Sequence, residues 1–237
     1  MEGKFQKFDL MKKDINYLKK CLNLHWLRPD NALWIFEFQR VFGKTITKNI
    51  IAGKSLEVGC GDGTTTFKIL GGEFDPEFDV YKSTQIGHKN MSSSPKFLNT
   101  GSIKDEKGDF YNVYNSNWKK VLSKNLIKKP KTKFTFGTDW KPALLKKAAD
   151  LDIYKKLILM DANKIPWKIF QSNSINFIFS TMLYWLQDPA KVLRELNRIS
   201  TEDGLVAFSA PMPDILKVTS FSFLKKYNYP LINCPIS

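Results

Sequence analysis

Cysteine is scarce in this chain. Cys21, Cys60 and Cys234 are odd in number and show no metal-ligand spacing. That argues against a disulfide framework or a cysteine-bound metal and fits a reducing cytoplasm. No apolar run approaches the roughly 20 residues of a membrane span. The opening MEGKFQKFDLMKKD lacks the apolar stretch of a secretory signal. Arginine is almost missing too: of 37 basic residues only Arg28, Arg40, Arg194 and Arg198 are arginines. Readers of bases and bidentate phosphates favour the guanidinium fork. The net charge of +14 is therefore better read as a solvated lysine surface than as an RNA footprint.

The chain does have the makings of a core. Hydrophobic residues are 43% and aromatics 14% of 237 residues, which is one packed domain with elaborations rather than a disordered chain.

The most informative stretch is Lys54-Ser55-Leu56-Glu57-Val58-Gly59-Cys60-Gly61-Asp62-Gly63-Thr64-Thr65. It reads as a buried strand, a glycine-dense turn and a helix starting among the threonines. Glycines at alternate positions let backbone approach a ligand where a Cβ would collide. The dinucleotide fingerprint needs its third glycine three residues after the second; here Gly59, Gly61 and Gly63 are evenly spaced. Glu57 would repel a pyrophosphate but suits a ligand carrying an ammonium and a sulfonium. LEVGCGDG resembles motif I of the class I S-adenosylmethionine-dependent methyltransferases. The resemblance implies an α/β fold: a Rossmann-like parallel sheet with helices on both faces, binding S-adenosyl-L-methionine at the carboxyl ends of its strands.

Taken in order, residues 1–53 read as an N-terminal helical cap. One helix carries Leu18, Cys21 and Leu22. A second is expected over 31–42, capped by Asp30, stopped by Gly43, with Trp34, Phe38, Val41 and Phe42 on its core face. His25 and Trp26 are substrate-side candidates by resemblance, with a packed structural role as the plainer alternative. The core is expected over 54–210. A helix over Thr65–Leu70 ends at Gly71-Gly72, and residues 73–132 form a long insertion after the first βα unit, read as a substrate lid. GGEFDPEFDVY and WLRPDNALW are similar to stretches of methyltransferases tied to surface-polysaccharide synthesis.

A strand then ends at Asp139, followed by a helix from Pro142. The resemblance makes Asp139 the acceptor of the ribose hydroxyls and Trp140 the cover of the adenine face; the alternative is that Asp139 only caps the helix. Leu157–Met160 is the next strand, closed by Asp161-Ala162-Asn163-Lys164-Ile165-Pro166-Trp167, similar to the family stretch that holds the adenine amino group. Ser174–Ser180 and Gly204–Ser209 complete five strands, with a helix over Ala190–Ile199 between them. The cofactor set is thus Glu57, Gly59, Cys60, Gly61, Asp139, Trp140, Asp161, Ala162 and Ser180. Cys60 counts as a small residue there, not a nucleophile.

Where the small-molecule branch commonly has Glu-His, this chain has Tyr184-Trp185. The general base is therefore open, with Tyr184, Asp188, His25 and His88 as candidates. Residues 211–237 are too few for the helix and antiparallel hairpin the family adds at its C-terminus, so a missing hairpin or a truncated chain is expected. The implied activity is methyl transfer to a small-molecule, sugar or lipid-linked acceptor, with no metal. The alternatives are an RNA methyltransferase and a non-catalytic or truncated module of the same fold. No Asn-Pro-Pro-Tyr signature follows the fourth strand, which disfavours base amines. The sequence is silent on oligomeric state.

Overall fold

The computed structural model describes residues 12–24, 29–78, 118–183 and 186–209. The chain divides into two compact units: residues 1–44 with 65–130, and residues 45–64 with 131 onward.

The second unit holds the sheet. Its strands are β1 (Ser55–Val58), β4 (Phe134–Asp139), β5 (Tyr154–Leu159), β6 (Ile175–Ser180) and β7 (Ser200–Phe208), in spatial order β5-β4-β1-β6-β7. Every neighbouring pair is parallel, with Leu56 beside Phe136 and Glu57 beside Phe179. The chain leaves β1 in one direction through β4 to β5, then returns to build β6 and β7 on the other side. Helix α5 (Pro142–Leu151) links β4 to β5, and α6 (Pro189–Ile199) links β6 to β7. Right-handed crossovers in opposite directions put these helices on opposite faces. This is the Rossmann-like α/β architecture expected from the sequence.

One core face joins Leu56, Val58 and Ile178 to Val192, Leu196 and Ile199 of α6, with Trp167 and Phe170 from the loop after β5. On the other face Phe134 lies 6.0 Å from the Phe177 ring and 6.1 Å from Tyr154. Burial of both faces is why these strands read as continuous apolar runs rather than alternating ones. The loop after β5 is pinned to α6 by a polar network. Trp167 N–H donates to Glu195 Oε1 at 2.7 Å, and Arg198 grips the same carboxylate at 2.6 and 2.9 Å.

The first unit contains α1 (Lys12–Leu24), most of α2 (Pro29–Ala52), α3 (Thr64–Ile69), β2 (Glu73–Phe74), α4 (Trp118–Asn125) and β3 (Leu126–Lys128). The two ends of the insertion pair with each other: β2 runs antiparallel to β3, and the Lys128 ammonium sits 2.9 Å from Glu73 Oε1. Residues 79–117 of the insertion and the tail from 210 lie outside the described residues, and with them most of the expected lid and the tail where a missing hairpin was expected.

Three expectations for the N-terminal helices are corrected: α2 begins at Pro29, so Asp30 lies within the helix rather than capping it. Gly43 does not stop α2, which continues to Ala52. A mid-helix glycine costs only about 1 kcal/mol against alanine, and the extension buries Ile46 and Ile50. Phe42 is exposed, while Ala32, Ile35, Phe36 and Phe38 are buried, so the core stripe is rotated from the one expected. Trp34, Val41 and Leu22 have no described side-chain placement.

Candidate functional site

The glycine turn leaves β1 at its carboxyl end, where the strand order reverses and open α/β sheets bind ligands. Gly59, Gly61 and Gly63 all adopt left-handed backbone, with φ of 76°, 58° and 78°. Their surroundings differ. A Cβ on Gly59 would fall 2.2 Å from Met182 Cγ, and one on Gly63 would lie 3.2 Å from Leu151 Cδ1 of α5. A Cβ on Gly61 would meet nothing within 4 Å. The outer two glycines thus serve packing, and the middle one presents bare backbone to open space.

The turn is clamped by two residues at the end of β4. The Thr138 carbonyl accepts from the N–H groups of Gly59 and Cys60 at 2.9 and 2.8 Å. The Thr138 hydroxyl donates to the Glu57 carbonyl at 3.1 Å. Asp139 Oδ2 accepts from Gly61 N–H at 3.0 Å, and its Oδ1 from Lys141 N–H at 2.9 Å. Asp139 is not the cap of α5: that position is Lys141, with no side-chain bond. Burial raises the Asp139 pKa, opposed by the N–H donors and by the Lys141 charge. A carboxylate offers about four lone-pair sites, so acceptor capacity remains beyond these two bonds.

The other expected residues have varied surroundings. Glu57 is only 2% exposed, and its Oε2 accepts from the Tyr154 hydroxyl at 2.7 Å. Cys60 is buried, and its thiol pKa is pushed well up, first by burial and then by the charges of Glu57, Asp139 and Asp62. It stays a protonated small residue. Trp140 is 57% exposed beside Asp139, with the Lys141 ammonium 5.0 Å from its ring centre. Asp161 follows β5 and accepts from Asn163 N–H at 3.0 Å. Ala162 is buried, its carbonyl taking the Trp167 indole N–H at 3.3 Å. The Ser180 hydroxyl is buried and donates to the Val58 carbonyl at 3.0 Å, tying β6 to β1. That bond is a strand-end staple.

Of the base candidates, Asp188 caps α6. It accepts from Lys191 N–H at 3.0 Å and pairs with the Lys191 ammonium at 3.3 Å, and these hydrogen bonds hold its pKa down. A carboxylate held low is a poor proton acceptor for an alcohol or amine. His25, His88, Tyr184 and Trp185 lie outside the described residues. Sequence reasoning missed Thr138, Tyr154 and Met182. A threonine, an aromatic and a methionine in apolar runs carry no signal of their own; only Gly137, within a strand, hinted at a close approach.

Residues 122–208 match the methyltransferase domain family. The match runs from within α4 to the end of β7 and does not include the glycine turn, which stands upstream of the insertion. Over those residues the chain is similar to that family, and its strand order is the one the sequence resemblance implies. No curated protein matches the chain. Among solved structures, the [4+2]-cyclase SpnF is 14% identical with a TM-score of 0.37, covering 74% of this chain. The chain spans only 47% of that protein's length. A TehB-like methyltransferase from Corynebacterium glutamicum is 15% identical, with a TM-score of 0.36 and coverage of 75% and 70% of the two chains. The plantazolicin methyltransferase BpumL is 13% identical, with a TM-score of 0.41 and coverage of 91% and 66%. Likeness at this level says nothing of what the chain acts on.

Among the described residues no helix is long and apolar enough to cross a membrane, and no cluster of side chains could hold a metal ion.

Proposed function

We propose that this chain transfers the methyl group of S-adenosylmethionine to a small-molecule, sugar or lipid-linked acceptor. The observation that carries the reading is the clamped turn: Thr138 and Asp139 hold it by four hydrogen bonds while Gly61 leaves room for a ligand. When bound, the cofactor supplies an electrophilic methyl on a sulfonium.

The chain's own residues hold and orient it. Glu57 supplies negative charge for the amino-acid and sulfonium end. Backbone at Gly59, Cys60 and Gly61 lies against that arm. Asp139 accepts from the ribose hydroxyls, and Trp140 covers the adenine face. Asp161 accepts from the adenine amino group beside Ala162, and Ser180 keeps the ends of β1 and β6 together. The acceptor's proton does not go to Asp188, whose carboxylate is engaged in its cap. Orientation of the nucleophile in line with the methyl and exclusion of water supply most of the rate.

A thermal-shift titration tests the cofactor. S-adenosylmethionine at about 100 times its Kd should stabilise the protein by roughly 2.7 kcal/mol. No shift with the wild type, or an unchanged shift in Asp139→Ala, sinks the assignment. Transfer of a radiolabelled methyl to sugar or lipid-linked acceptors tests the substrate class. Transfer to RNA instead, with binding that falls steeply as salt rises, would replace that class and give the lysine surface a purpose.

A further inference from the structure

Gly137 sits in the middle of β4, where a glycine weakens a strand and marks the close approach of something else. Here the approach is made by Tyr154. A Cβ on Gly137 would stand 2.6 Å from Tyr154 Cδ1 and 2.8 Å from its Cε1. Tyr154 opens β5, two strands away from β1 in the sheet. Gly137 is the residue of β4 that lies beside Glu57. The bare glycine is therefore the gap across which the phenol ring passes over β4 to put its hydroxyl 2.7 Å from Glu57 Oε2.

Burying a carboxylate is expensive unless it is hydrogen-bonded, so the hydroxyl could serve stability alone. Its target argues for more. Glu57 is the acid that leads into the glycine turn, and its carbonyl is also fixed, by the Thr138 hydroxyl. Backbone and side chain of this one residue are both held from the β4–β5 side of the sheet. The carboxylate cannot swing without losing a charge-assisted bond, the stronger kind of hydrogen bond.

We propose that Tyr154 is a positioning residue of the cofactor site, fixing the Glu57 carboxylate for the amino-acid arm of S-adenosylmethionine through the gap at Gly137. The inference rests on the cofactor reading above and assigns the recognition of one part of that molecule. Tyr154 touches Glu57, and its effect on the cofactor passes through that carboxylate.

The test compares two ligands. Tyr154→Phe keeps the ring in the gap and removes only the donor. S-adenosylmethionine and 5′-methylthioadenosine, which lacks the ammonium and carboxylate arm, are titrated against wild type and variant. Loss of one hydrogen bond to a charged group should raise the Kd for S-adenosylmethionine about tenfold and leave that for 5′-methylthioadenosine unchanged. Glu57→Gln should show the same selectivity, and the double variant should add nothing to it. Gly137→Ala crowds the ring without altering the hydroxyl and should reproduce the pattern; it decides the matter if Tyr154→Phe does not fold. Equal weakening of both ligands, no weakening, or additive effects in the double variant overturns the proposal alone. Wild type that binds neither ligand overturns the cofactor reading and the proposal with it.

Discussion

Gly61 N–H points at Asp139 Oδ2 across 3.0 Å, joining residues 78 positions apart in the chain. The acid proposed to hold the ribose is thus also a fastener of the turn proposed to hold the methionine arm. Asp139→Ala should therefore do more than delete a ribose contact. Two hydrogen bonds to a charged group, each worth about 1.5–3 kcal/mol, should be lost from cofactor binding, so affinity falls by at least 100-fold. Asp139→Asn keeps one acceptor oxygen and should sit between alanine and wild type. Isothermal titration with S-adenosylmethionine checks both; equal affinity in all three proteins would refute the role.

Gly61 and Gly59 are predicted to separate binding from folding. Gly61→Ala forces a Cβ onto left-handed backbone, a penalty of about 1–2 kcal/mol, but meets no neighbour. Its melting temperature should drop modestly while cofactor binding is abolished. Gly59→Ala meets the same backbone penalty plus a collision with Met182, so the fold itself should suffer more. Paired melts and titrations distinguish the two; a Gly61→Ala protein that binds normally would move the ligand away from the turn.

With Asp139 holding the ribose as proposed, that residue should set the pH dependence of cofactor affinity. Burial is the largest influence on it and raises its pKa above the ordinary carboxylate value, the N–H donors and Lys141 opposing in part. The ribose hydroxyls need the ionised form as acceptor. Affinity should therefore rise with pH through this elevated pKa and be weak below it, with the acid limb above the aspartate reference of about 3.9. For the ligand-free fold the sign is opposite: a raised acid pKa favours the folded state at low pH and loses that contribution as pH rises. Titrations across pH 4 to 8 read the first directly.

Glu195 makes a contrasting prediction. Arg198 holds its pKa down, with the Trp167 N–H assisting against burial. A lowered carboxylate pKa contributes stability that is present above the unfolded value and lost as pH falls through the folded one. Glu195→Ala leaves the buried Trp167 N–H without its acceptor, which costs about 1–3 kcal/mol. At this chain length each kcal/mol corresponds to roughly 2–4 °C in melting temperature. The variant should also lose part of the acid sensitivity of wild-type stability. A melt unchanged at pH 7 would show that the network at α6 is dispensable.

Strands were legible where a short apolar run is closed by a turn signal; β7 instead starts at Ser200, four residues before the expected Gly204, through the polar Ser200-Thr201-Glu202-Asp203. Ser55–Val58 needs no adjustment, and Tyr154–Leu159 begins only three residues before the run at Leu157 that announced it. The early start escaped notice because Lys155 and Lys156, both exposed, interrupt the apolar pattern. Gly43 misled for the opposite reason: a local stop signal was outweighed by the burial of Ile46 and Ile50 beyond it. The candidate site was legible where the chemistry lives in side-chain type, as at Glu57 and Asp139. Its supports were not. Thr138 works mainly through its carbonyl, a group every residue carries, and Tyr154 acts on a residue 97 positions away.

The central strand is the earliest of its sheet to be made and the most dependent on segments made later. β1 pairs on one side with β4 and on the other with β6, through Leu56 beside Phe136 and beside Ile178. Both partners lie some 80 to 120 positions downstream. A growing chain therefore carries Leu56, Glu57 and Val58 unpaired until Phe134–Asp139 has emerged, and unflanked until Ile175–Ser180 has been added. Closing such long loops precedes any reward from pairing, which slows folding. The glycine turn, early in sequence, thus depends for its clamp on Thr138 and Asp139, residues made some 80 positions later.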